Sequence, residues 1–121
     1  MATLSTQSIS LAGAVPTYAT AADNGVEATP TYMDKFRAGA HTYLHVKNGG
    51  GAPTTVTVND PNSDAPTAAY VFNPDIEVTI NAGAEKVLGP FPAARFRDPA
   101  DGLVHVTYSV VTSVTVGVFS A

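Results

Sequence analysis

The residues with the clearest potential for chemistry are the three histidines, His41, His45 and His105. Alternate residues of a strand share one face, so His41 and His45 would project together, whereas His105 belongs to another strand. Three histidines can form a zinc site with an open position, provided that the two strands are neighbours in a suitable register. No acidic residue or further histidine follows at a recognisable spacing. We therefore interpret all three as ordinary strand residues and predict no metal site.

A second candidate is the segment DPNSD, residues 60–64, which matches the first half of a calcium-binding loop, D-x-N-x-D. The complete loop also needs glycine at its sixth position and glutamate at its twelfth to close the coordination shell. Those positions hold Ala65 and Val71 here. Because Asn and Asp beside proline are common turn residues, we interpret the segment as a turn.

The sequence shows none of the patterns that activate a nucleophile. It contains no cysteine and no G-x-S-x-G motif. Glu77 could enter an acid–base pair of carboxylates, but glutamates on strands more often face solvent. The glycines of NGGG, residues 48–51, lack the lysine and the following helix of a phosphate-binding loop. We predict that the protein is not an enzyme and has no catalytic residues and no cofactor.

Composition limits the class of partner. Of the 121 residues, 13% are charged, about half the usual fraction of roughly a quarter, which favours burial of the surface against neighbouring subunits. The net charge is −4 and the basic residues are scattered, whereas a nucleic-acid-binding protein needs a basic patch. The sequence has no run of 18 apolar residues that would span a membrane. We expect neither nucleic acid nor membrane as a partner.

The elements that must position any functional residue are strands. In LVHVTYSVVTSVTVGVF, residues 103–119, valines alternate with polar residues, which is typical of two half-buried antiparallel strands. Similar patterns predict strands at 41–47, 54–59, 76–80 and 85–88, with an edge strand at 69–72. Long proline-rich loops separate them at 60–75 and 89–102, and Phe91 and Phe96 are expected to anchor the second loop. The predicted fold is all-β, a single antiparallel β-sandwich or small barrel.

The first third of the chain has weaker periodicity and several turn signals, including Pro16, Asn24-Gly25 and Pro30. We predict an extended N-terminal arm or irregular segment over residues 1–38 and a sandwich domain over residues 39–121. One helical turn is predicted over residues 31–39. Such a long, weakly patterned segment indicates a region that becomes ordered on a partner or on a neighbouring subunit.

Three stretches resemble a known group of proteins. They are GAHTYLHVKNGGGAPTTVTV with its TYLHVKN strand, VTINAGAEKVLGPFP with an NAG turn leading to LGPFP, and the closing strand pair VHVTYSVVTSVTVGVF. Together they cover roughly residues 39–119. These patterns resemble small virion proteins of tailed bacteriophages, the head decoration or minor capsid proteins encoded near the major capsid protein.

The resemblance implies a non-enzymatic protein of the virion that binds the outer surface of the assembled capsid, commonly as a homotrimer, and stabilises it. Its partners would be the major capsid protein and copies of itself, and it would be made in the cytoplasm of the host bacterium. Candidate contact residues are the apolar side chains of the N-terminal segment and of the two loops: Leu4, Ile9, Leu11, Tyr18, Tyr32, Phe36, Tyr70, Phe72, Phe91 and Phe96.

Two alternatives stay open. Similar β-rich proteins also act as head–tail connectors or tail proteins. Aromatic residues could instead line the sugar-binding face of a carbohydrate-binding module on the virion surface, although the chain has no tryptophan. The aromatic residues available for such a face are Tyr18, Tyr32, Tyr43, Tyr70 and Phe72.

Overall fold

A computed structural model gives the fold and describes residues 2–10, 12–13, 15–20, 34–61 and 75–120. These residues form ten strands and one helical turn. The elements are β1 (Ala2–Leu4), β2 (Thr6–Ser8), β3 (Ala19–Thr20), β4 (Asp34–Arg37), β5 (Thr42–Asn48), β6 (Thr54–Val58), β7 (Ile76–Ile80), β8 (Glu85–Leu88), α1 (Ala93–Phe96), β9 (Leu103–Tyr108) and β10 (Val114–Ser120).

The strands form two sheets. The first sheet has the order β1-β4-β9-β6-β7, and the second has the order β2-β10-β5-β8, with β3 also paired to β10. The longest ladder joins β10 to β5 over seven antiparallel residue pairs, from Val114 opposite Asn48 to Ser120 opposite Thr42. The chain crosses between the sheets repeatedly, so strands that are neighbours in sequence often lie in different sheets.

One core lies between the sheets. Along β5 the residues Thr42, Leu44 and Val46 are buried while the alternate residues are only half-buried, which is the period of a strand with one face inward. Both sheets contribute to a single hydrophobic cluster that includes Val56 and Val106 from the first sheet. The all-β sandwich prediction is confirmed, and neither sheet closes into a barrel.

The sheets are mixed, and the prediction of purely antiparallel pairing was wrong at two places. β1 pairs with β4 and β2 pairs with β10, both in parallel. A single residue, Ser5, separates β1 from β2, so the chain passes from the edge of one sheet to the edge of the other. Residues 1–38 thus contribute strands to both sheets.

The predicted helical turn over residues 31–39 was wrong in its described part. Asp34–Arg37 is a strand with Asp34 and Phe36 fully buried, paired antiparallel to β9. The local sequence pattern of the segment fits a helical turn. The segment forms a strand because its backbone pairs with β9 and its alternate residues are buried.

The loop after β8 is held to the core by two aromatic rings. Phe91 and Phe96 are buried, and Phe91 packs edge-to-face against both Phe96 and Phe36 with ring centroids 5.3 Å apart in each pair. The expectation that these residues anchor the loop is confirmed. The loop also contains α1, whose last residue is the buried Phe96. The predicted edge strand at 69–72 lies outside the described residues.

Candidate functional site

The outer face of the second sheet carries an apolar patch. In register, Val87 of β8 lies opposite His45 of β5, and Tyr43 of β5 lies opposite Phe119 of β10. Residues that oppose each other in a ladder share one face of the sheet, so these four side chains project together. The chain segment before β3 adds further residues and closes a groove of about 300 Å³, lined by Ile9, Pro16, Tyr18, Tyr43, His45, Val87 and Phe119. We call these seven residues the apolar patch.

Tyr18 is fixed on the patch by a hydrogen-bonded clamp on its neighbour Thr17. The Gln7 side chain donates from Nε2 to the Thr17 carbonyl at 2.7 Å and accepts at Oε1 from the Thr17 amide at 2.8 Å. Gly117 of β10 lets this segment approach, because a Cβ atom there would lie 2.9 Å from the Thr17 carbonyl oxygen. The glycine and the glutamine together place Tyr18 above β10.

The Tyr18 ring then joins an aromatic cluster with polar connections. Its hydroxyl lies 2.9 Å from His45 Nδ1, and its ring packs edge-on against His45 and tilted against Phe119. Lys47 Nζ lies 3.8 Å from the centroid of the Tyr18 ring, within the range of a cation–π contact. His45 Nε2 lies 3.6 Å from a carboxylate oxygen of Glu85. The polar atoms of Tyr18 and His45 therefore contact each other and lie beside the charges of Lys47 and Glu85.

The patch exposes large aliphatic side chains. Val87 is 61% exposed and Ile9 is 51% exposed, and Val15, which precedes Pro16 in sequence, is 88% exposed. Contiguous exposed apolar surface commonly marks an interaction site.

The outer face of the first sheet has a different character. Its half-buried or exposed residues on β6 and β7 include Thr55, Thr57, Glu77 and Thr79, and the Thr55 and Thr79 hydroxyls lie 3.2 Å apart. The exposure of Glu77 fits its interpretation as a solvent-facing residue. The two outer faces thus differ in polarity, and the apolar one is on the second sheet.

An ion-pair cluster lies at one end of the first sheet. His105 Nε2 donates to Asp101 Oδ2 at 2.7 Å, its Nδ1 lies 3.5 Å from Asp98 Oδ2, and Lys35 Nζ lies 3.7 Å from Asp101 Oδ2. Partial burial raises the pKa of Asp101, but hydrogen bonds from His105 and the Leu103 amide, with the attraction of His105 and Lys35, outweigh it. The net effect lowers the pKa of Asp101 below its ordinary value of 3.8. The cluster fixes the loop before β9.

Two buried polar contacts hold the interior. The Tyr108 hydroxyl donates a hydrogen bond to Asp34 Oδ2 at 2.8 Å. Burial, together with the charge and the hydrogen bond of Asp34, raises the pKa of Tyr108 above its ordinary value of 10.0. Asp60 is fully buried and accepts a hydrogen bond from Arg95 at 2.9 Å, while its amide donates to Asp75. Asp60 therefore ties α1 to the end of β6. Asn62 and Asp64 of the sequence motif lie outside the described residues.

The three histidines do not converge. His45 is on the second sheet and His105 on the first, each on a strand bordered by other strands of its own sheet. In the described part of the chain, no group of three or more His, Cys, Asp and Glu side chains has the arrangement of a metal site. The same residues include no helix long and apolar enough to cross a membrane.

The predicted contact residues divide into three groups. Ile9 and Tyr18 lie on the apolar patch. Leu4, Phe36, Phe91 and Phe96 are buried in the core, where their side chains pack inside this chain and leave almost no surface for a partner. The others, Leu11, Tyr32, Tyr70 and Phe72, lie outside the described residues.

Sequence reasoning did not select Val87 and Phe119. The signal available in the sequence was weak. Val87 lies on the same face of β8 as Glu85, and Phe119 lies on the same face of β10 as Thr115, so alternation assigns both residues to a polar face. Large apolar residues at positions that the pattern places outside the core are the signature that would have found them.

Comparison with known proteins adds no relative: no protein-family model, no curated protein and no solved structure matches this chain.

Proposed function

We propose that this protein is a non-enzymatic structural protein of a tailed-bacteriophage virion that binds the outer surface of the assembled capsid and stabilises it. Its partners are the major capsid protein and other copies of itself, which form a homotrimer on the capsid. The sequence resemblance over residues 39–119 suggests this role. The observation that supports it on the molecule is the apolar patch on one outer face of the sandwich.

The patch is suited to a protein partner. Val87 and Ile9 are more than half exposed, and removing apolar surface from water contributes about 25 cal/mol per Å². The Tyr18 ring is already held against Phe119, so little side-chain entropy is lost when a partner covers the Tyr18 ring. The polar outer face of the first sheet then stays in contact with solvent.

The thermodynamics of a capsid-binding protein follow from this arrangement. A protein that binds the assembled shell and not its dissociated subunits stabilises the shell by linkage. A trimer of this protein presents three apolar patches. Once one patch has bound the shell, the other two are held near their own sites at a high effective concentration, so a modest affinity at each site gives a high overall affinity. A low content of charged residues, 13%, reduces the cost of burying the surrounding surface.

The test is co-sedimentation with undecorated shells of the phage whose genome carries this gene. Val87→Glu places a charge in the centre of the proposed contact, and we expect shell affinity to fall by about tenfold or more because the charge would be buried without a partner. Thr79→Glu is the matched control: both positions are exposed, both lie on strands, and both follow a glutamate by two residues. Equal binding of the two variants would refute the assignment of the patch, and failure of the unmodified protein to bind would refute the function.

Light scattering after size exclusion tests the trimer. A mass near three times 12.4 kDa supports decoration by a trimer. A ring of six or more copies would favour the alternative role of a head–tail connector or tail protein.

A carbohydrate-binding role is a second candidate, favoured by the position of Tyr43 and Tyr18 on one groove beside the polar side chain of His45. Sugars stack on aromatic rings and hydrogen-bond to neighbouring polar groups. Binding on a glycan array that is lost in Tyr43→Ala and retained in Thr79→Glu would support this role.

A further inference from the structure

The edge of the second sheet at β8 has backbone groups that no described residue pairs with. Within the described residues β8 pairs only with β5. The Asn48 amide donates to the Ala84 carbonyl at 2.9 Å, one position beyond the opposed pair Lys47 and Glu85. In an antiparallel ladder, hydrogen-bonded and non-bonded positions alternate, so Glu85 and Val87 direct their N–H and C=O groups away from β5. Each of these two residues presents one donor and one acceptor to an incoming strand.

This edge differs from the other sheet edges. β1 and β2 are each three residues long, and β7 carries Glu77 and Thr79 on its outer face. At β8 the outer face carries Glu85 and the exposed Val87, and Val87 belongs to the apolar patch. A strand added here would gain backbone hydrogen bonds and could also cover apolar surface, the combination on which strand addition depends.

The charges of β8 specify the incoming strand. Lys86 and Glu85 are both exposed. A lysine on an edge strand disfavours an apolar residue opposite it, and opposite charges across a ladder stabilise the pair. A complementary antiparallel strand therefore carries an apolar residue opposite Val87, an acidic residue opposite Lys86 and a basic residue opposite Glu85.

We propose that the β8 edge is the docking site for an extended segment of the capsid partner that adds to the second sheet as an antiparallel strand and reads apolar–acidic–basic from its N-terminal end. The proposal rests on the function proposed above for the identity of the partner. Its chemistry, an extended peptide with this pattern, follows from β8 alone.

A second copy of this chain fits the edge poorly. In a symmetric antiparallel pair of β8 strands, residues that lie opposite each other must project from the same face of the sheet. Since alternate residues share a face, the numbers of two opposed residues differ by an even amount. Lys86 would then face Lys86, Leu88 or Ala84 of the other copy, and never Glu85. The charges of β8 therefore favour a partner with a different sequence.

The probe is the capped peptide Val-Thr-Leu-Glu-Lys-Thr, titrated into the full-length ¹⁵N-labelled protein and followed by amide chemical shifts. We expect saturable shifts centred on the Glu85 and Val87 amides. The control peptide exchanges the glutamate and the lysine, which places like charges opposite each other. We expect this control to bind at least about fivefold more weakly than the first peptide. Absence of saturation at β8, or larger shifts on another edge, would overturn the proposal.

The decisive variant pair is Glu85→Pro and Glu85→Ala. Both remove the carboxylate, but only proline removes the outward N–H, and at this first residue of β8 it breaks no hydrogen bond to β5. We expect Glu85→Pro to bind the peptide about fivefold more weakly than Glu85→Ala, the effect of one lost hydrogen bond. Thermal unfolding of both variants verifies that the fold is retained. Equal peptide affinity of the two variants would contradict the proposal.

The same variants in the shell assay separate this inference from the proposed function. Shells that bind the unmodified protein and Glu85→Ala, and that bind Glu85→Pro about fivefold more weakly than Glu85→Ala, support both. Equal binding of all three proteins overturns the β8 site and leaves the capsid function standing. If no protein binds shells while the peptide still docks at β8, the capsid function fails and the extended-strand site stands.

Discussion

Substituting Gly117 by alanine should release the segment that places Tyr18 on the apolar patch. A Cβ at this buried position would lie 2.9 Å from the Thr17 carbonyl oxygen and 3.0 Å from a ring carbon of Phe119. Real Cβ atoms do not tolerate such contacts with backbone, so either the Thr17 segment or the Phe119 ring must move. The substitution therefore reports on whether this packing holds the patch together.

The magnitude follows from two opposing effects. Overpacking of a well-packed site costs about 1–3 kcal/mol. Replacing glycine by alanine also restricts the unfolded chain, which stabilises the protein by about 0.4–1 kcal/mol. The net expectation for Gly117→Ala is a loss of about 1–2 kcal/mol of unfolding free energy, which lowers the urea midpoint by about 0.5–1 M for a slope of about 2 kcal/mol per M.

Gly51→Ala is the matched control. A Cβ at Gly51 meets no atom within 4 Å, so only the unfolded-state effect remains and the midpoint should stay or rise slightly. Urea unfolding followed by circular dichroism measures both midpoints. Chemical shifts of Tyr18 and His45 in Gly117→Ala show whether their contact is lost. Identical midpoints for the two variants, with unchanged Tyr18 shifts, would refute the reasoning.

Further predictions concern polar contacts. Tyr108→Phe leaves the buried Asp34 carboxylate without this donor, so we expect a loss of about 1.5–3 kcal/mol of unfolding free energy at neutral pH, measured by urea unfolding. Because the pKa of Tyr108 is raised in the folded state, stability from this group is complete below pH 10.0 and is lost as the pH rises above it; Tyr108→Phe should flatten that alkaline decline in thermal melts. The pKa of Asp101 is lowered, so its contribution is present above pH 3.8 and is lost as the pH falls below it; Asp101→Asn should reduce the acid dependence of the melting temperature, and an unchanged acid limb would contradict this. Tyr18→Phe removes the hydroxyl near His45 and should cost about 0.5–1.5 kcal/mol while the ring packing persists, which the ring proton shifts of Phe119 would verify.

Alternation was sufficient to locate most strands. The valines of β6, β9 and β10 recur every second residue, and β-branched side chains at that period fit only a pleated, half-buried surface. The strands at 76–80 and 85–88 were predicted with their observed limits. The short β4 escaped prediction as a strand because it is held by pairing with β1 and β9 rather than by a pattern of its own.

The sequence by itself thus determined the all-β class and the buried faces of the longer strands, because both depend on side chains two residues apart. Only the tertiary structure decided which aromatic residues are core and which are surface. Phe36 meets Phe91 from a distant part of the chain and both are buried, whereas Tyr18 is brought onto β10 by Gln7 and Gly117. Such contacts join residues far apart in sequence, and no local period encodes them. The polarity of each outer face, and therefore the position of the apolar patch, depends on the order in which the strands assemble into the two sheets.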